Sequence, residues 1–342
     1  MSVMVITDEQ FDGHDMPGHP EHAGRLQAVR QQLVSDGLVH RVIMERASPI
    51  DLDVVKLAHV DAYLVQLERT SHLSTTHLLD PDTYATPQSY RIALLAAGAT
   101  AHAVDAVLSQ KVRQAVALVR PPGHHATRGR AMGFCLINNV AVAARFARQT
   151  HHIERIAIVD YDVHHGNGTQ DIFYDDPSVL YISTHQSPLY PGTGSLYETG
   201  RAAGQGFTVN IPLPPGVGDE GYQQVFAQVI MPALERFMPQ LILVSVGFDA
   251  HWADPLANMT LSLQGYHALA QMLIEGAQTW CEGRIVFVME GGYHLEALGH
   301  GWANIVRALL QDTQISDPLG PAEMPSRDVA SVIRQARQIH SL

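Results

Sequence analysis

Five short apolar runs alternate with helical segments along most of this chain, and that alternation constrains the fold more than any other feature. The runs are Ala115–Val119, Ile156–Val159, Val179–Ile182, Leu241–Val246 and Ile285–Met289. Helical patterns follow at Asn138–Arg148, Glu220–Phe237, Gln264–Trp280 and Ala297–Leu310. Continuous apolar strands separated by helices are typical of a parallel sheet covered on both faces. The sequence therefore predicts an α/β fold.

The first third of the chain adds a strand and three helices to this prediction. The strand is Val3–Ile6, and the helices are Ala23–Val34, Asp53–Glu68 and an Ala-rich helix from Pro87 to Leu108. No repeat, linker or break in composition divides the sequence. We therefore predict a single domain over residues 1–342, with a tail from Asp312 that packs on the surface and ends in a short helix.

Polar residues follow each of the five runs, and the richest cluster is Asp160–Gly168. Residues two apart share one face of a strand, so Asp160, Asp162 and His164 are expected to point the same way. Because unpaired buried carboxylates are costly, this cluster favours a divalent cation site. The alternative is a solvated polar loop with incidental histidines.

Asp249 comes just after the apolar run Leu241–Val246, at the end of that strand, and could supply a third ligand. Together, Asp162, His164 and Asp249 would form an oxygen, nitrogen and oxygen set with an open position, as catalytic zinc sites require. Fe(II) and Mn(II) accept the same donors. Taken alone, Asp249 could also be a helix N-cap or a turn residue.

His124 and His125 form a tandem pair in a Pro-Pro-Gly turn and are interpreted as an acid/base pair. Asp160 and Asn167 are available to fix their tautomers. Tyr293 follows Gly291-Gly292, a flexible turn that could carry its hydroxyl towards an oxyanion, although it could also simply pack on a loop. Together these parts favour metal-assisted amide hydrolysis.

Other candidates carry less weight. Gly192–Gly194 lacks the lysine of a phosphate loop, and Ser183 and Ser245 show no nucleophile-elbow pattern. Cys135 is expected to be packed. Five further histidines are expected in loops or on the surface: His14, His19, His22, His151 and His152.

Charge and composition narrow the partners. The chain has 22 Lys and Arg against 34 Asp and Glu, a formal net charge of −12, without a basic block. Nucleic-acid binding is therefore not expected, whereas cationic substrates are tolerated. The two cysteines, Cys135 and Cys281, suggest a reducing compartment. We see neither a leader in Met1–Thr7 nor a run of 18 apolar residues, so we expect no membrane span and a cytoplasmic location.

The motifs resemble those of the metal-dependent deacetylase family, which includes histone deacetylases and acetylpolyamine amidohydrolases. They occur in the family's order: Arg120–Ala126, Gly133–Cys135, Asp160–Gly168, Pro191–Gly194, Gly247–Asp249 and Glu290–Tyr293. The likeness runs from about Asp12 to Leu310. It implies the arginase/deacetylase fold, with a single parallel sheet of about eight strands flanked by helices.

The resemblance also implies roles for individual residues. Asp162, His164 and Asp249 would hold one Zn²⁺ (Fe²⁺ is possible), His125 would be the general base, and His124 its electrostatic or proton-donating partner. Asp160 would stand behind His124, and Asn167 behind His125, as in the class II-like branch. Tyr293 would be the oxyanion donor. Ser183 and Thr184, with Asp160, Asp162 and His164, correspond to a structural K⁺ site.

Substrate contacts follow from the same resemblance. Phe134 and Tyr190 align with the aromatic walls of a channel for the acyl-lysine stem, with Gly133 at its floor, Asp82 at its rim and Leu256 at its mouth. The compact segment Gly18–Arg25 favours acetyl-lysine peptides or proteins as substrates. An acetylpolyamine or another small acetylated amine is the alternative, and a non-catalytic acyl-lysine binder is a third. The sequence does not fix the oligomeric state.

Overall fold

The computed structural model describes residues 2–342 and is built around a sheet of eight strands. Met1, which begins the predicted domain and the stretch searched for a leader, lies outside them. The strands are β1 (Val3–Ile6), β2 (Ile43–Glu45), β3 (His77–Leu78), β4 (Tyr84–Ala85), β5 (Gln114–Ala117), β6 (Ile156–Asp160), β7 (Val179–Gln186), β8 (Thr208–Leu213), β9 (Leu241–Val246) and β10 (Ile285–Met289). The sheet order is β2-β1-β5-β10-β9-β6-β7-β8, with every pair parallel. β3 and β4 form a separate antiparallel pair.

Helices accompany the sheet. They are α1 (Gly24–Ser35), α2 (Leu52–Val55), α3 (Asp61–Glu68), α4 (Ser89–Leu108), α5 (Asn139–His151), α6 (Asn167–Phe173), α7 (Asp219–Val225), α8 (Met231–Phe237), α9 (Leu263–Trp280), α10 (Leu295–Leu309) and α11 (Ala330–His340). The predicted parallel sheet flanked by helices is confirmed. The central strands β5, β6, β9 and β10 are fully buried, as continuous apolar runs require.

The two sheet strands that the sequence patterns did not predict, β2 and β8, form the two edges. All three residues of β2 are exposed, so this strand lacks the apolar run that marks a buried one. In β8, Asn210 and Pro212 interrupt the apolar pattern. Proline has no N–H for the ladder and is therefore tolerated mainly at a sheet edge.

Two predicted helices differ in detail from those observed. The predicted helix Asp53–Glu68 is wrong as one element, because α2 and α3 are separate and Val60 between them has extended backbone. Glu220–Phe237 is helical throughout, but its middle turn, Phe226–Ile230, is a π-helix between α7 and α8. Neither change lies at the polar strand ends.

Among the described helices, α4 alone is long and apolar enough to span a membrane by length and composition. The sequence search for 18 consecutive apolar residues did not detect it, since polar residues such as Thr100 and His102 interrupt it. However, 72% of its apolar window is buried within the fold, and core helices pass the same test.

Strand register gathers the polar strand ends at one edge of the sheet. Asp160, the last residue of β6, lies opposite Ser183 on β7 and Ser245 on β9. Val246 of β9 lies opposite Met289 of β10. The segments that follow β5, β10, β9 and β6 are therefore neighbours in space. Ligand sites of open α/β sheets form at this carboxyl edge.

Candidate active site

Three side chains from two neighbouring strand ends converge on one point. Nδ1 of His164 lies 3.2 Å from Oδ1 of Asp162 and 3.1 Å from Oδ2 of Asp249. One donor atom from each residue falls within 4.8 Å of the other two. The structure thus brings together the three residues predicted as metal ligands, in an oxygen, nitrogen and oxygen set.

Backbone amides and glycines hold this cluster in place. Asp249 accepts the Val163 N–H at 3.0 Å, and Asp162 accepts the Gly291 N–H at 2.8 Å. A Cβ atom at Gly247 or Gly291 would overlap the two carboxylates. Only glycine lets these segments approach the carboxylates so closely. The carboxylates of Asp162 and Asp249 therefore occupy the space that side chains at these two positions would need.

The electrostatics of the cluster fit a cation. Asp162 and Asp249 are fully buried. Burial, together with the neighbouring Asp162 carboxylate, raises the pKa of Asp249. Two buried carboxylates this close repel each other, and a divalent cation is the simplest way to neutralise both. A second group, His124, Cys135 and Glu290, is equally compact. Its carboxylate and thiol are, however, already hydrogen-bonded to the backbone.

The tandem histidines lie beside this cluster with different partners. Nδ1 of His124 donates to Oδ2 of Asp160 at 3.1 Å, and Nδ1 of His125 donates to Oδ1 of Asn167 at 2.8 Å. Both rings are buried, with centroids 4.0 Å apart, and the His125 ring centroid lies 6.0 Å from that of His164. These bonds leave Nε2 of each imidazole for the reaction.

The two histidines have opposite pKa shifts. Burial by itself would lower the pKa of His124, but the carboxylates of Asp162 and Asp160 outweigh it and raise this pKa to about 10. Burial and the neighbouring imidazoles of His124 and His164 hold the pKa of His125 well below its usual range. A divalent cation beside Asp162 would lower the pKa of His124 again. His125, which has no carboxylate partner, therefore favours the neutral form more strongly than His124.

Glu290 fixes the turn that carries these histidines, a role that sequence reasoning did not assign. Its Oε2 accepts the N–H groups of Gly123 at 2.6 Å and His124 at 3.1 Å, and its Oε1 accepts the Ser245 hydroxyl at 3.3 Å. Burial raises the pKa of Glu290 to about 7. A carboxylate immediately after a fully buried strand was the available signal.

Aromatic rings surround the approach to the cluster. The Tyr190 ring lies 5.1 Å from that of His125, and the Phe134 ring lies 5.8 Å from that of Tyr293. Gly133 has a left-handed φ of 56°, and a Cβ there would overlap the His125 ring. Asp82 is half-buried, and its carboxylate accepts the Thr83 hydroxyl at 3.0 Å; Thr83 in turn accepts the Phe134 N–H. Four of the five predicted substrate-contact residues thus lie close to the site.

Tyr293 is held more firmly than a flexible Gly-Gly turn implied. Its backbone N–H donates to Oδ2 of Asp254 at 2.6 Å, and the Arg25 guanidinium lies 4.8 Å from its ring centroid. Gly292 has φ 109°, which favours glycine. Leu256, two residues after Asp254, shares with Tyr293 and His19 the lining of an open cavity of about 670 Å³.

A buried ion network lies beneath Tyr293. The Arg120 guanidinium donates to Oε2 of Glu21 at 2.8 Å, and Arg25 donates to Oε1 of Glu21 at 3.1 Å. Arg25 also donates to the carbonyls of Glu290 at 2.6 Å and Gly292 at 2.7 Å. All three charged side chains are fully buried. The network ties the segment before α1 to the turns that carry Tyr293 and the tandem histidines.

The expectation that His14 and His19 are loop or surface residues is wrong in one respect, because both side chains are buried. His14 stacks on Tyr84 at 4.3 Å and bonds Ser89 at 2.7 Å. The His19 ring packs edge-on against Phe134 at 4.7 Å, beside the channel. Their Gly- and Pro-rich segment is irregular but packed inward, which its composition does not indicate. His22 and His151 are half-buried, and His152 is exposed.

Comparison with known proteins identifies the family. The family model described as "Histone deacetylase domain" matches residues 19–309. The chain belongs to the histone deacetylase family. The predicted resemblance is therefore confirmed, and membership of this family supports a hydrolase.

Two relatives and one solved structure show the range of this family. Histone deacetylase 10, chloroplastic, from Oryza sativa subsp. japonica is 41% identical over 350 residues, covering 96% of this chain and 79% of that protein. The human polyamine deacetylase HDAC10 is 38% identical over 333 residues, covering 94% of this chain and 49% of that protein. The crystal structure of an HDA15 HD domain is 36% identical, with a TM-score of 0.89, and covers 99% of this chain and 94% of that one. The arginase/deacetylase fold is thereby confirmed.

Proposed function

We propose that this deacetylase-family protein is a zinc-dependent amidohydrolase that removes acetyl groups from the lysine side chains of peptides or proteins. One observation carries the proposal. The cluster of Asp162, His164 and Asp249 lies beside the imidazoles of His124 and His125, and Tyr293 comes two residues after Gly291, whose N–H donates to Asp162. Amide hydrolysis needs these groups together.

The chain's own residues divide the reaction between them. A divalent ion held by Asp162, His164 and Asp249 would polarise the amide carbonyl and acidify the attacking water. His125, neutral and fixed by Asn167, accepts the water proton at Nε2. The water oxygen adds to the carbonyl carbon, and negative charge develops on the carbonyl oxygen.

Tyr293 and His124 complete the reaction. The Tyr293 phenol donates a hydrogen bond to the developing oxyanion, and its pKa, raised far above the usual range by burial, keeps the hydroxyl protonated. His124 stabilises the negative charge and donates a proton to the leaving amine as the C–N bond breaks. The products are acetate and the free amine of lysine.

The channel mouth supports a lysine substrate. Phe134 and Tyr190 present rings to an aliphatic stem, and Leu256 offers an apolar contact rather than a charge. A non-catalytic binder is disfavoured, because the chain carries every residue that the proposed reaction requires. The K⁺ site remains a prediction, which the buried Thr184 hydroxyl, without a hydrogen-bond partner among residues 2–342, supports. The cytoplasmic location also remains a prediction.

A second candidate is hydrolysis of acetylpolyamines or other small acetylated amines. One relative favours this candidate, since the similar human protein is named a polyamine deacetylase. Asp80 and Asp82 also lie near Tyr190 and raise its pKa beyond the effect of burial. Carboxylates there could attract a second ammonium group.

The deciding experiment measures metal content and turnover on one preparation. We expect one divalent ion per chain. We also expect the kcat/KM for a fluorogenic acetyl-lysine peptide to be higher than the kcat/KM for N-acetylspermidine. The reverse preference would favour the second candidate. A metal-loaded protein that turns over neither substrate would refute both.

A further inference from the structure

We propose that Asp254 is a positioning residue that sets the place of Tyr293 for the reaction; the inference rests on the proposed function. Oδ2 of Asp254 accepts two successive backbone N–H groups, from Tyr293 at 2.6 Å and His294 at 3.1 Å. Its Oδ1 accepts the Leu256 N–H at 3.0 Å. One carboxylate therefore joins the turn of the oxyanion donor to the loop at the channel mouth.

Tyr293 needs such an anchor because of what precedes it. Gly291 and Gly292 have no side chains to restrict their backbone, and Gly292 has a left-handed φ of 109°. The Tyr293 ring is bordered by the Arg25 guanidinium at 4.8 Å and the Phe134 ring at 5.8 Å. Those contacts limit sideways movement of the ring. The bond from Asp254 fixes the backbone from which the ring extends.

Backbone hydrogen bonds hold the loop that carries Asp254 in place. Asp254 follows Asp249 by five positions, and its N–H donates to the His251 carbonyl at 2.9 Å. The backbone N–H of Trp252 donates to the Leu261 carbonyl at 3.0 Å, which fixes the loop between these two residues. The Asp254 side chain is only 6% exposed. Hydrogen bonds therefore connect the segment that follows Asp249 to the Tyr293 backbone.

Both oxygens of the Asp254 carboxylate accept hydrogen bonds, and neither asparagine nor alanine can replace both acceptors. Asparagine offers a single acceptor oxygen, and its NH₂ group would face an N–H donor at the other position. Alanine removes every acceptor and leaves the N–H groups of Tyr293 and His294 without this partner. Asp254→Ala should therefore impair turnover most, and Asp254→Asn should lie between alanine and wild type.

The test is a double-mutant cycle with Tyr293→Phe on the metal-loaded enzyme. Because a misplacement of about 1 Å can cost ~10²-fold in rate, we expect Asp254→Ala to lower kcat by roughly 10- to 100-fold with little change in KM. In the Tyr293→Phe background, Asp254→Ala should add little further loss, since the hydroxyl it positions is already gone. Metal content should be unchanged.

Asp176→Ala is the matched control. The Asp176 carboxylate also fixes a chain segment, because it accepts the Ser178 N–H at 3.0 Å and the Ser178 hydroxyl, and it lies just before β7 begins, at the edge of the sheet opposite the site. It should leave kcat unchanged in both backgrounds. Wild-type kcat in Asp254→Ala, or a full additive loss in the Tyr293→Phe background, would overturn the proposal. If the Asp254→Ala variant does not fold, the same double-mutant cycle is measured with Asp254→Asn. Absence of turnover in the wild type would instead refute the proposed function.

Discussion

Oδ1 of Asn167 accepts the Nδ1–H of His125 at 2.8 Å, so the imidazole assigned as the base is backed by a neutral amide. The adjacent His124 is backed by the Asp160 carboxylate at 3.1 Å. Burial and the neighbouring imidazoles of His124 and His164 lower the pKa of His125, whereas the carboxylates of Asp162 and Asp160 outweigh burial and raise the pKa of His124 to about 10. This difference supports the proposal that His125 is the base and His124 the acid.

Replacing Asn167 with aspartate should change the pH profile in a defined direction. A carboxylate behind His125 would favour its cationic form and raise its pKa. Because the base must be unprotonated, the acidic limb of kcat/KM should move to higher pH. Asn167→Ala, which adds no charge, should not move the limb upward. A limb that stays in place in Asn167→Asp would show that His125 does not control it.

Removing a carboxylate from the cluster should release the metal. Asp162→Ala or Asp249→Ala leaves two of three protein ligands, and we expect loss of both metal retention and activity. Metal analysis after dialysis checks retention directly. Asp53→Ala, an exposed carboxylate beside Lys56, is the control and should retain both. Full activity in a metal-free preparation would exclude metal catalysis.

Tyr293→Phe should preserve the fold and the metal but lose most turnover. An oxyanion donor is typically worth roughly 10²–10³ in rate. His125→Ala should cost at least the ~10²–10⁴ associated with a general base. Both effects are measured as kcat on an acetyl-lysine peptide. Near-wild-type kcat in Tyr293→Phe would mean that the Gly-Gly-Tyr turn serves only the structure.

The sequence was sufficient to predict the central sheet and the grouping of Asp162, His164 and Asp249. Buried parallel strands have continuous apolar sequences, and the carboxyl ends of neighbouring strands meet at one edge. The predicted strand face shared by Asp160, Asp162 and His164 is wrong in detail, because β6 ends at Asp160 and the other two residues follow it. The edge strand β2 escaped prediction because its three residues are exposed. The other unpredicted edge strand, β8, is largely buried, but Asn210 and Pro212 interrupt its apolar sequence.

Long-range contacts account for the other residues that the sequence did not reveal. Glu21 meets Arg120, 99 positions away, and Glu290 meets the Gly123 amide, 167 positions away. Asp254 reaches Tyr293 across 39 positions. No spacing rule links such residues, because the sheet order rather than the chain order makes them neighbours. Charged residues in a glycine-rich loop also resemble solvated ones until the fold is known.

His59 should make the stability of the protein depend on pH. Its Nδ1–H donates to the Thr127 carbonyl at 2.9 Å, and its Nε2 accepts the Asn138 N–H at 3.0 Å, so it is neutral in the fold. Burial lowers its pKa to about 4, against a usual value of 6.5. Between these values the unfolded state binds a proton that the folded state does not. Stability therefore falls as pH drops through this window.

Urea unfolding at pH 7.5 and 5.5 measures this dependence. By linkage, His59 should contribute roughly 1 kcal/mol of the loss between these two pH values. Glutamine can donate and accept in the same two directions without titrating. His59→Gln should therefore reduce the difference between the two pH values by about that amount. An unchanged pH dependence would mean that His59 titrates alike in both states.

The last prediction concerns substrate choice and depends on Leu256. Its side chain lines the open cavity beside Tyr293, and its backbone is fixed by Asp254. An acidic side chain here could pair with the second ammonium of an acetylpolyamine, whereas leucine cannot. A partly desolvated ammonium without a partner costs on the order of 1–3 kcal/mol, which is roughly tenfold or more in kcat/KM. We therefore expect acetyl-lysine peptides to be preferred over acetylspermidine.

Leu256→Glu should narrow or reverse that preference, because it supplies the missing negative charge. Asp82 could supply a charge from another side of the approach, and Asp82→Asn in the wild-type background tests that contribution separately. Both kcat/KM values are measured for each enzyme, and Leu256→Gln serves as the uncharged control of similar size. If charge decides the choice, glutamate shifts the ratio towards acetylspermidine and glutamine does not. A wild-type enzyme that already favours acetylspermidine would overturn the lysine assignment, since Leu256 would then not be the residue that excludes the polyamine.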